Sequence, residues 1–64
     1  MLEYAKIILQ KVSFDSFLFE KELRKALASL GKEDWCNLYV WCTDVFGDKY
    51  PEVIQRLFSN FTGL

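Results

Sequence analysis

The sequence predicts an all-α protein, a compact bundle of four short helices with the third helix central, spanning residues 1–64 as one domain. Three observations carry this. Apolar residues recur at the 3.6-residue spacing of a buried helical face in four separate segments. Cap-forming or helix-breaking residues separate the segments at Ser13–Ser16, at Gly31 and at Gly47–Pro51. No strand signal competes seriously: Leu38 to Cys42 could be a short buried strand taken alone, but the 3.6-residue period persists on both sides of it.

The first helix is expected over Leu2–Val12, with Leu2, Ala5, Ile8, Leu9 and Val12 on one face and Ile7 away from it. Asp15 is the expected N-cap of the second helix, because its carboxylate can accept from the unpaired N–H groups of the first turn. Ser16 is the alternative cap. With Asp15 as the cap, Phe14 and Phe19 take the positions of a hydrophobic staple. The second helix runs to about Leu30, with a core stripe of Phe19, Leu23, Ala26, Leu27 and Leu30; Phe17 and Leu18 fall outside that stripe. Gly31 stands where a left-handed C′ residue belongs.

The third helix starts near Lys32 or Glu33, and Glu33 and Asp34 suit its first turn because the helix dipole favours negative charge there. Its stretch DWCNLYVWCTDVF (Asp34 to Phe46) is the most apolar in the chain. At 100° per residue, Trp35, Leu38, Tyr39, Cys42, Val45 and Phe46 share an arc of roughly 120°. Trp41 lies beside that arc, and Cys36 and Val40 lie well outside it. Gly47 is expected as a second C′ residue, and Pro51 suits the first position of the fourth helix. Ile54, Leu57, Phe58 and Phe61 form the fourth stripe, with Val53 at its edge, and fraying is expected at Thr62-Gly63-Leu64.

The opening M-L-x-Y-x-K-x-x-L-x-K-V-S-F-D, followed by L-F-x-K-E-L-x-K-A-L, covers Met1 to Leu27. It resembles short uncharacterised proteins of Bacteroidetes-type bacteria. The resemblance implies an intracellular bacterial origin and assigns no role to any residue.

A 64-residue chain buries only about 60% of the surface its unfolded form exposes, and 52% hydrophobic content with 17% aromatics offsets that thin margin. The net charge of −1 gives no general attraction to nucleic acid or anionic membrane. Residues 1–32 carry six Lys/Arg and four Asp/Glu, against two and five in residues 33–64, so the two halves stand at +2 and −3. No signal peptide is read, since Glu3 and Lys6 interrupt the N-terminus, and no apolar run approaches the ~20 residues of a membrane span. The initial Met and the lack of a tag are read as a complete small protein. Cys36 and Cys42 lie about 9 Å apart along one helix axis, too far for an internal bridge, so a reduced, cytoplasmic compartment is expected.

No catalytic, cofactor or metal site is expected. The chain has no histidine, the usual base near neutral pH and the usual zinc ligand. A thiol sensor at Cys36 would need a positive neighbourhood, whereas Glu33, Asp34 and Asp44 make the region negative. The carboxylate pairs Glu33/Asp34 and Asp44/Asp48 read as surface charge. DNA reading through a helix-turn-helix is not expected, because the recognition helix would present Glu33 and Asp34 to phosphates. Lys21, Arg24 and Lys25 form a basic strip on the second helix, which supports the alternative of an RNA-associated accessory protein. The surplus apolar residues give the leading expectation, a non-enzymatic interaction module that binds itself as a homodimer or binds another protein, with no membrane or small-molecule partner. Its contact residues are Ile7, Phe17, Leu18, Cys36, Val40 and Trp41, because such residues clustered on a surface exceed what a monomer normally exposes.

Overall fold

A computed structural model describes the backbone of residues 2–62 and the side chains of residues 2–60. Its helices are α1 (Leu2–Lys11), α2 (Ser16–Ser29), α3 (Lys32–Phe46) and α4 (Pro51–Thr62). The Phe61 side chain, expected on the α4 stripe, and Gly63–Leu64 of the expected fray lie outside these limits, while Thr62, also expected to fray, is the last residue of α4. The most extensive helix contacts are α1 with α2, α2 with α4, α4 with α3 and α3 with α1, and α2 meets α3 through the Phe19–Phe46 ring pair and the Trp35–Leu27 hydrogen bond. The four helices therefore form a ring in which α2 and α3 stand diagonally opposite. None of the helices described is long and apolar enough to cross a membrane.

Local chemistry sets the ends of α2. Asp15 adopts an extended conformation, and its carboxylate accepts from the N–H groups of Phe17 (2.9 Å) and Leu18 (3.3 Å). It therefore satisfies two of the donors that a helix start leaves unpaired. The staple expected beside it does not hold: Phe14 is 75% exposed, while Phe19 is fully buried. What buries Phe19 is long-range. Its ring stacks on Tyr50 (4.6 Å between centroids) and meets the edge of Phe46 (4.9 Å).

Neither glycine adopts the left-handed conformation expected of it. Gly31 has φ −75° and ψ 164° and serves as the N-cap of α3, the end of α2 being formed by Leu30, whose N–H donates to the Ala26 carbonyl oxygen. With only two residues between the helices, the chain passes from one to the other in extended form and has no room for a left-handed cap. Gly47 is right-handed, at φ −59° and ψ −33°. Its requirement is steric: a Cβ there would run into the Thr43 carbonyl oxygen. The Phe46 carbonyl oxygen then accepts from both Lys49 and Tyr50 N–H groups, and the Tyr50 carbonyl receives the Ile54 N–H at the start of α4, where Pro51 has none to give.

The core is one cluster: Leu9 from α1, Phe19, Leu23, Leu27 and Leu30 from α2 and its end, Leu38, Cys42 and Phe46 from α3, and Ile54, Leu57 and Phe58 from α4. The expected stripes of α2 and α4 are the buried ones, with Ala26 only partly covered. On α3 the buried arc is narrower than expected. Tyr39 and Val45, both placed on the core stripe by periodicity, are 42% and 49% exposed, because α3 packs mainly on α1 and α4, meets α2 through Phe46 and Trp35, and has no helix outside these.

Candidate interaction surface

Along α3, burial falls on Leu38, Cys42 and Phe46. At 100° per residue, the direction opposite these three is occupied within about 20° by Glu33, Val40 and Asp44. All three are exposed, Val40 to 61%. Cys36 and Asn37 flank this line and are exposed too. On the α4 side lies an open groove of about 490 Å³, formed by Lys32, Trp35, Cys36 and Tyr39 of α3 with Gln55, Phe58 and Ser59 of α4. The Tyr39 ring stands edge-on to Phe58 at 5.1 Å and forms part of the groove wall. Cys36, Tyr39, Val40 and Thr43, at i, i+3, i+4 and i+7, thus make an exposed, uncharged strip beside the groove.

Trp41 differs from its neighbour Val40. It is half-buried and packs against the core, with its ring edge-on to Phe46 at 5.5 Å and the Lys6 ammonium 5.8 Å above it. It closes the seam between α3 and α1, with the cation held over the ring face. Ile7 is 50% exposed on the side of α1 away from Leu9, and Phe17 is 74% exposed in the first turn of α2. Leu18 is half-buried. The six residues singled out by sequence therefore come from three helices. Only Cys36 and Val40 lie next to each other on an exposed helical face, and Phe17 stands on the diagonally opposite helix.

The two cysteines differ in the same way. Cys36 is exposed and Cys42 is fully buried, and burial pushes the Cys42 thiol up to about 12 from an ordinary 9.0. Cys42 is therefore protonated, and inert as a nucleophile, at any physiological pH.

The basic strip of α2 is largely engaged within the molecule. The Arg24 guanidinium donates to Glu20 Oε2 at 3.0 Å, and Arg56 of α4 reaches the other oxygen of the same carboxylate at 2.6 Å. Lys25 lies 3.6 Å from Glu22. Lys21 is exposed and makes no ion pair among the described residues.

The sequence reading missed Tyr39 and Phe58 as groove residues, since both sit on apolar stripes, and a stripe residue at a groove wall has the same spacing as one in the core. Comparison of the chain with known protein families, with curated proteins and with solved structures finds no match.

Proposed function

We propose that this chain is a non-enzymatic protein-interaction module, acting in the cytoplasm as a homo-oligomer or as a small subunit of a larger assembly, with the outer face of α3 as its contact surface. The observation that carries the reading is the exposed, uncharged strip of Cys36, Tyr39, Val40 and Thr43 beside the groove lined by Trp35 and Phe58. An aromatic-lined groove next to an apolar strip is the composition of an interface centre, where charged residues are depleted and aromatics enriched. Two further facts agree with a role outside catalysis: the chain has no histidine, and the Cys42 thiol is locked in its protonated form.

The test is Val40→Glu, read by light scattering and by pull-down with the purified protein as bait. Val40 has no packing role to lose, so helix content should stay unchanged by circular dichroism while self-association or partner capture falls. Unchanged association and capture in the folded variant would remove the α3 face from consideration.

A further inference from the structure

The outer faces of α2 and α3 carry complementary chemistry. On α2, the direction opposite Phe19, Leu23 and Leu27 is occupied by Lys21 and Lys25, with Phe17 one turn before Lys21. All three are exposed. On α3, the direction opposite the core is occupied by Glu33, Val40 and Asp44, also exposed. Each face is thus an apolar side chain beside charges of a single sign, and the signs are opposite; Lys25 also lies 3.6 Å from Glu22, so Lys21, which makes no ion pair among the described residues, is the cation most open to a partner. Neither Glu33 nor Asp44 makes an ion pair among the described residues. Asp44 lies in the last turn of α3, where the helix dipole disfavours an anion, so a cation brought to it gains twice. The spacing also agrees: Phe17 to Lys21 and Val40 to Asp44 are both one four-residue step, about 6 Å along a helix.

We propose that the chain associates head to tail with a second copy of itself, the Phe17–Lys21–Lys25 face of α2 in one molecule seated on the Glu33–Val40–Asp44 face of α3 in the next. This rests on the reading of the chain as an interaction module and names its partner. A symmetric pairing of either face with itself would bring like charges together, whereas the heterologous pairing sets Lys21 of one copy against Asp44 of the next. Because α2 and α3 are diagonal in the ring, each molecule keeps one free face after pairing. Association then continues as an open chain or closes as a ring instead of stopping at a symmetric dimer. A weak contact of ~500 Å² per partner takes only a small part of the 4281 Å² surface.

The experiment is light scattering on the full chain across concentration and salt, with Phe17→Glu and Val40→Glu measured alone and mixed. Circular dichroism on each variant checks that it is folded. Wild-type mass is expected to rise past two chains with concentration and to fall with added salt, since exposed charges are screened. Each variant alone should be monomeric where the wild type associates. Their equimolar mixture should form a discrete complex of two chains and nothing larger, because each variant keeps the face the other lacks. Lys21→Glu should weaken association, and the double variant Lys21→Glu/Asp44→Lys should restore it. A wild-type dimer lost in Val40→Glu but untouched by Phe17→Glu would overturn the head-to-tail arrangement while leaving α3 as an interface. A wild type monomeric at every concentration would overturn self-association altogether, and partner capture by Val40 would then decide the broader reading separately.

Discussion

The indole N–H of Trp35 donates to the backbone carbonyl oxygen of Leu27 at 3.0 Å. The last four carbonyls of a helix have no partner within it. At the end of α2, Leu30 N–H takes the Ala26 carbonyl and the Trp35 indole takes the next one. A side chain in the first turn of α3 thus closes the preceding helix, which explains how a two-residue connection holds without a left-handed glycine. Trp35→Phe keeps one aromatic ring, trims the indole and removes the donor. It should cost about 1 kcal/mol and lower the Tm by roughly 4–8 °C, read by thermal circular dichroism. An unchanged Tm would mean that water replaces the indole fully.

Tyr50 ties the two four-residue connections together at one end of the bundle. Its hydroxyl donates to the Ser13 carbonyl oxygen at 2.5 Å, and its ring stacks on Phe19. Tyr50→Phe should cost about 1 kcal/mol, and Tyr50→Ala should cost several times as much because the aromatic cluster loses a wall. Denaturant midpoints of the two variants separate the bond from the ring.

The glycines give opposite expectations for similar substitutions. Gly47→Ala drives a methyl group into the Thr43 carbonyl and should destabilise by about 1–3 kcal/mol. At Gly31 the backbone is already extended, and an added Cβ meets only the mobile carboxylate of Glu33, 2.8 Å away. Gly31→Ser should therefore change stability by less than about 0.5 kcal/mol, with the serine hydroxyl supplying the side-chain cap that α3 lacks. Equal losses at both positions would contradict the assigned conformations.

Trp41 and Val40 are adjacent in sequence and opposed in environment. Trp41→Glu should destabilise by about 2 kcal/mol or more, since a charge would replace a ring packed on Phe46. Val40→Glu should stay within about 0.5 kcal/mol of the parent. Urea titrations of both variants test the contrast directly.

Cys42 makes stability fall at alkaline pH. Its thiol titrates near 9.0 when unfolded and near about 12 when folded, so above 9 the unfolded chain binds fewer protons than the folded one. Its contribution is constant below that pH and then declines by about 1.4 kcal/mol per pH unit until the folded thiol itself ionises. The measure is the difference in slope between the parent and Cys42→Ala. In the native protein at neutral pH, a thiol reagent should modify Cys36 and leave Cys42 untouched until denaturant is added.

The sequence by itself determined the helices, the Asp15 cap, the Pro51 start and the buried stripes of α2 and α4, because periodicity, capping and proline geometry act within one or two turns of chain. It also separated Val40 and Cys36 from the core, since each lies far round the helix from any buried neighbour. The tertiary structure alone decided which flank of α3 is covered. Tyr39 and Val45 carry the spacing of core residues, yet in a ring of four helices no helix packs on the outer flanks of α3. Trp41 moves inward for the same reason, because α1 brings Lys6 over its ring. The two glycines, the Trp35 bond to Leu27 and the Tyr50 bond to Ser13 depend on how close separate segments come in space. That distance is set by packing between helices, and it leaves no periodic trace in the residues themselves.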